Sequence, residues 1–175
     1  MLSRMKTITL GSIIRDELPE TWDEPYEIYV IREGDTVFYV GKSKDCVIDR
    51  ILGHLGEGTW GWSSGDELGD FIKFYEPGSH NWQVDLMTIK DCFPFIKKSH
   101  PDAKKARCTV ADAESAMISH YGPCLNKMLN RNRRPSPEKY TRYQKEVFKL
   151  LEGEAKKIGW VPSTRGADSK KEGAS

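Results

Sequence analysis

The residues able to do chemistry in this sequence are far apart, and they line up only when secondary structure is drawn through them. Tyr29 and Tyr39 stand in two runs of β-branched and aromatic residues, "YEIYVI" and "TVFYV", joined by "REGD". With the turn centred on Gly34 the two phenols lie directly opposite, and opposite residues share a face of a sheet. Good packing alone accounts for such a pair. Arg50 and His54 are four apart in "KDCVIDRILGHL", so a helix makes them neighbours. A cation and an imidazole on a helix border suit a surface pair, or a charge clamp beside a proton handler. Glu114 falls inside the apolar stripe of "TVADAESAMISHYG", among Val110, Ala113, Met117, Ile118 and Tyr121. A carboxylate there is costly unless it meets a cation, a metal or a proton. Buried ion pair, solvent-facing rim and metal ligand are all open readings of Glu114.

Gly41-Lys42-Ser43 invites a nucleotide-binding interpretation. A phosphate-cradling loop needs G-x-x-x-x-G-K-[ST], which places its first glycine at position 36. That position is Thr36, and Gly34 is two residues too early. Without the first glycine the backbone cannot wrap a phosphate, so the nucleotide reading is rejected. Ser43 is most simply a helix N-cap.

The elements that must position these groups follow from periodicity and turn chemistry. "YEIYVI" and "TVFYV" form a β-hairpin, and "NWQVDLMTI" supplies a third strand. Helical spacing runs through Val47, Ile48, Ile51, Leu52 and Leu55, and again through "ELGDFIKFYE". "FPFIKKSHPDAKKARC" reads as an irregular basic crossing. The helix bearing Glu114 begins at a Thr or Asp cap and ends near Gly122 and Pro123. A further helix starts at Ser136-Pro137, since proline is welcome in a first turn. Its Tyr140, Tyr143, Val147, Phe148 and Leu151 share one side, which suits packing on the preceding domain. Residues 1–24 form an N-terminal extension with a short helix around "SIIRDEL". The main domain spans 25–130, a basic helical extension 131–160, and a disordered tail 161–175.

Composition narrows the class. The chain has 175 residues, 30% charged and 38% hydrophobic, which is ordinary for a soluble globular protein. No apolar run reaches the roughly 18 residues of a membrane span, and the first residues lack a secretory cleavage pattern. Cys46, Cys92, Cys108 and Cys124 form no C-x-x-C pair and suit reduced thiols in a cytoplasmic protein. The net charge of +1 hides an asymmetry. Residues 131–175 carry 12 Lys and Arg against 6 Asp and Glu, and the remainder carries 15 against 20. Arg131, Arg133 and Arg134 open that basic segment and suit either a solvated face or phosphate neutralisation. His80, His100 and His120 show no ligand spacing. Trp60 and Trp62, in a glycine-rich loop, suit base stacking or local core capping.

Taken together, these residues resemble the GIY-YIG nucleases. Glu27-Ile28-Tyr29 and Tyr39-Val40-Gly41, the latter followed by Lys42, are similar to the two tripeptides of that family. Arg50 and His54 match its R-x-x-x-H helix. Glu114, Ile118, Tyr121, Pro123, Leu125 and Asn126 match its later E-x-x-x-I-x-x-Y-x-P-x-L-N pattern. The resemblance covers about residues 25–130, with Glu27 in place of the first glycine. It implies a small α/β (α+β) fold, with a three-stranded antiparallel sheet flanked by helices. It also implies hydrolysis of DNA phosphodiesters with one Mg²⁺ (or Mn²⁺). Glu114 would be the metal ligand, and Tyr29 the base or water-orienting group, helped by His54 or Tyr39. Arg50 would clamp the scissile phosphate with Lys42 as a second cation, and Asn126 would tie the site together. An inactive nucleic-acid-binding module and an RNase of the same fold are the alternatives.

Overall fold

The computed structural model describes residues 5–18, 25–56, 67–127 and 130–157, the side chain of residue 155 excepted. The expectations for Trp60, Trp62 and the 161–175 tail lie outside the described residues. In chain order the elements are β1 (Lys6–Thr9), α1 (Leu10–Ile14), β2 (Ile28–Glu33), β3 (Thr36–Lys42), α2 (Val47–His54) and α3 (Glu67–Phe74). There follow β4 (Gln83–Met87), α4 (Ile89–Ser99), α5 (Val110–Tyr121) and α6 (Glu138–Lys157). The strands form one antiparallel sheet in the order β1-β4-β2-β3. None of the described helices is long and apolar enough to cross a membrane.

The sheet has four described strands where the sequence suggests three. β1, "KTIT", is only four residues long and carries no apolar alternation beyond Ile8. Its place is set from outside, by pairing with β4 and by a hydrogen bond from Thr7 Oγ1 to Asp85 Oδ1 at 2.6 Å. The second departure is α4, which occupies much of the stretch expected to be an irregular crossing. Thr88 and Asp91 form a reciprocal capping box that starts it, and Glu27 Oε2 accepts from Ile89 N–H at 2.9 Å. Pro94 sits inside the helix and disguises it in the sequence.

Each face of the sheet has its own core. On one side Ile28, Val30, Val40 and Met87 pack on Cys92 and Ile96 of α4 and on Ala113, Ala116, Met117 and Ile118 of α5. On the other, Phe38 lies 4.4 Å from Trp82 and 5.4 Å from Phe71, ring centre to ring centre. A β-bulge lets β3 serve both. Pairing passes from Ile31↔Tyr39 to Arg32↔Val37, so Phe38 is an extra residue. Val37 and Val40 therefore both join the α4–α5 core, while Phe38 and Tyr39 turn to the opposite face. Where the α4–α5 core ends, Asp85 is buried and held by Arg32, with contacts of 2.5 Å to Nε and 3.1 Å to Nη2. All four cysteines are free, and burial pushes the Cys92 thiol up to about 12.

The free edge of β3 is closed by the segment after α5. Leu125 N–H donates to Phe38 O at 2.9 Å, and Asn126 grips Val40 at both backbone atoms. Its Oδ1 accepts from Val40 N–H at 2.9 Å, and its Nδ2 donates to Val40 O at 2.8 Å. The chain divides into two compact units after Ser136. Residues 131–134 belong with the first unit. Asn132 Nδ2 donates to Ser119 O at 3.2 Å, and Arg134 N–H donates to Gly122 O at 2.9 Å. The second unit contributes α6, which exposes Tyr143, Phe148, Leu150 and Leu151.

Asn126→Ala leaves a buried N–H and a buried carbonyl of Val40 without partners, each costing about 1–3 kcal/mol. Urea unfolding should show a loss of about 2–6 kcal/mol, as a lower midpoint at unchanged slope.

Candidate functional site

The hairpin register differs from the expected one. Tyr29 pairs with Gly41 and Tyr39 with Ile31, so the phenols are diagonal neighbours rather than opposite ones. The turn holds two residues, Gly34 (φ 56°) and Asp35, between the paired Glu33 and Thr36, and the bulge at Phe38 adds one more. The net slip is two residues, which preserves the face on which each side chain stands. Both phenols thus remain together, with ring centres 6.0 Å apart.

Gly41 is what lets Tyr29 lie across the neighbouring strand. A Cβ at position 41 would overlap the Tyr29 ring and hydroxyl. The phenol passes over that gap to His54, with Oη and Nε2 2.7 Å apart in a buried hydrogen bond. Tyr29 is fully buried and His54 is 7% exposed, whereas Tyr39 is half-buried. The Tyr39 ring meets the His54 ring edge-on at 5.5 Å. His54 is the last residue of α2, and its carbonyl abuts Gly69 of α3, where any Cβ would overlap it. Gly69 therefore sets how closely α3 approaches the end of α2. Sequence reasoning passed over it because a glycine inside a helical pattern reveals nothing about what crosses it.

The second group lies at the end of β3. Lys42 Nζ is 2.8 Å from Glu114 Oε2, the lysine side chain 39% exposed and the glutamate 15%. The cation that Glu114 needs on its apolar stripe is thus supplied by the strand end. Lys42 stands one residue beyond Gly41, so it leans toward α5 while Tyr29 and Tyr39 lean toward α2.

The remaining candidates are placed as follows. Arg50, one turn before His54, is exposed and makes no side-chain hydrogen bond or ion pair among the described residues. The amide of Asn126 is committed at both ends to the Val40 backbone, so its part is to hold β3. Arg133 Nε donates to Cys124 O at 2.6 Å, while Arg131 and Arg134 are exposed. Ser43 does not cap α2, whose N-cap position is Cys46. It organises the turn before the helix instead, accepting from Asp45 N–H at 3.3 Å and donating to Cys46 O at 3.0 Å. Glu27 holds the start of α4, a role that its position in the tripeptide did not suggest.

Among the described residues no group of three or more His, Cys, Asp or Glu side chains is gathered for a metal. The donor set reduces to Glu114. A lone carboxylate fits Mg²⁺, which keeps several waters and shares its remaining positions with substrate phosphate. It does not fit zinc, which demands three or four protein ligands. No family model, curated protein or solved structure matches the chain.

Gly41→Ala forces the Tyr29 ring away from its place, an overpacking cost of about 1–3 kcal/mol. We expect a lower melting temperature and, in NMR spectra, a displaced His54 imidazole signal. A variant that melts and resonates like the parent would show that Tyr29 does not depend on the gap at position 41.

Proposed function

We propose that this chain is a GIY-YIG-type endonuclease that hydrolyses DNA phosphodiester bonds with one Mg²⁺ (or Mn²⁺). The observation that carries the reading is the buried 2.7 Å contact between Tyr29 Oη and His54 Nε2, with the half-buried Tyr39 beside both rings. A free phenol has a pKa near 10 and is a poor base at neutral pH. With Nδ1 carrying the ring proton, Nε2 accepts from the phenol and gives the proton somewhere to go. In this reading Tyr39 is the phenol that substrate and the attacking water meet first, and the buried Tyr29–His54 couple behind it is the final acceptor of the proton.

The other groups handle charge. Exposed Arg50 presents a planar fork that matches two phosphate oxygens, and Lys42 adds a point charge at the end of β3. Both oppose the negative charge that builds on a phosphorane-like transition state. Glu114 would hold the Mg²⁺, whose contribution when bound is to polarise the phosphate and stabilise the leaving oxygen. Arg131 and Arg134 remain available to neighbouring phosphates. Asn126 acts indirectly, by fixing the strand that carries Tyr39 and Lys42.

A second reading is a nucleic-acid-binding module without catalysis. The observation favouring it is that the Glu114 carboxylate already has a cationic partner in Lys42.

The two separate on supercoiled DNA with Mg²⁺. Tyr29→Phe and His54→Ala should each slow cleavage by about 10²–10⁴-fold, and Glu114→Gln should abolish it, with folding checked by circular dichroism. Full activity in both Tyr29→Phe and Glu114→Gln would remove the proposed site. Salt-sensitive binding without cleavage, indifferent to Mg²⁺ and to Glu114, would establish the binding module. A matched RNA substrate decides between DNA and RNA.

A further inference from the structure

We infer that the outer face of α4 is a second phosphate-binding surface, one that holds the backbone of duplex DNA away from the candidate cleavage site. The inference rests on the proposal that DNA is the substrate, and its lysines, Lys90, Lys97, Lys98 and Lys105, are residues that proposal does not use. Cys92 and Ile96 bury one side of α4. At about 100° per residue, Lys90, Lys97 and Lys98 fall on the opposite side, and all three are exposed. Asp91 is the one acid on this helix, and its carboxylate is turned into the capping box with Thr88.

One border of this face extends the same charge, and the other carries an imidazole. Along one, Lys105 Nζ stands 5.8 Å from the centre of the Phe93 ring. Along the other, the His120 ring lies 4.7 Å from Phe95. His120 is held below its ordinary proton affinity, first by burial and then by the positive charges of Lys98 and Arg134. Side chains from α4, the segment before α5 and the segment after it thus converge with one sign of charge around His120. Among the described residues none of Lys90, Lys97, Lys98, Lys105 and Arg134 takes part in an ion pair, whereas Lys42, Lys127 and Lys157 do. Like charges that outnumber the one acid on the helix, Asp91, repel one another, and a polyanion relieves that repulsion.

The chemistry of the face selects the partner. It exposes no large apolar residue, so it lacks the anchors with which an amphipathic helix enters a membrane surface. Phe93 and Phe95 are half-buried at its edges and give the cations flat ground to rest on. Lysines act as mobile point charges, suited to phosphates and not to reading bases. Helix α5 joins the two regions, with Glu114 near its start and His120 six residues on, a rise of about 9 Å.

The test measures binding of the full chain to a ~30-bp DNA duplex by fluorescence anisotropy, in EDTA, from about 50 to about 200 mM salt. Replacing Lys90, Lys97 and Lys98 together by Gln should lower the slope of log K against log salt by about 2–3, since each phosphate contact contributes about 0.9. Replacing the same three by Arg should restore it, which separates loss of charge from loss of fold. An unchanged slope in the Gln variant overturns the inference, as does equal loss in the Arg variant. Tighter, equally lysine-dependent binding of an RNA duplex overturns the assignment to DNA. Because no divalent ion is present, the outcome is independent of cleavage. A lysine-dependent slope in a chain that never cuts would end the nuclease proposal and keep this surface, and cutting with an unchanged slope would do the reverse.

Discussion

Tyr29 reaches His54 only because β3 offers no side chain at Gly41, and much of the site is arranged around that passage. A glycine within a strand costs about 0.5–1 kcal/mol relative to alanine, because it gives up more freedom on folding. Here the gap admits a whole phenol, whose burial returns about 1.5–3 kcal/mol, together with a hydrogen bond worth about 0.5–1.5 kcal/mol net. The exchange favours glycine. Gly69 repeats the device at the other end of the contact, letting α3 press on the His54 carbonyl. Two missing side chains, on a strand and on a helix, thus fix the two ends of one buried hydrogen bond.

Strand β3 is engaged on both edges and both faces. Its inner edge pairs with β2, and its outer edge is closed by backbone and side-chain bonds from residues 124–126. An edge strand ordinarily leaves unpaired donors and acceptors exposed. The Asn126 amide supplies the donor and acceptor that a neighbouring strand would have provided at Val40. With both edges held, the alternation of side chains is fixed, and Tyr39 and Lys42 are delivered to opposite faces within four residues. The bulge at Phe38 makes this possible while leaving Val37 in the α4–α5 core.

Much of this was legible from local chemistry. The hairpin showed in its β-branched runs and in Gly34, and α5 in Thr109, its apolar stripe and Gly122, which takes φ 58° at the helix end. The cationic need of Glu114 was visible in its stripe, although its partner Lys42 was not, because strand ends and helix faces are joined only by tertiary packing. The strand register was misjudged by two residues, since neither a two-residue turn nor a bulge leaves a mark in periodicity. β1 was invisible for a similar reason: four residues with one buried partner set carry no pattern of their own. In α4 a signal was present and outweighed. Thr88 and Asp91 spell a capping box, but Pro94 and the run of lysines pointed away from helix. Gly69 could not have been found at all, because its meaning lies in the carbonyl across from it.

The Lys42–Glu114 pair also bears on how the proposed site would change state. The lysine side chain is over a third exposed, so the pair is solvent-screened and its attraction modest. A modest bond is easily exchanged. Lys42 gains more from an incoming phosphate, whose oxygens carry negative charge of their own, than from a carboxylate that water already screens. Glu114 is only 15% exposed and cannot stay uncompensated once Lys42 turns away. Its demand for a cation then rises at the same moment that phosphate oxygens arrive to share one. Substrate and divalent ion would on this account bind with positive coupling, each making room for the other, and the resting ion pair keeps the carboxylate satisfied in the absence of both.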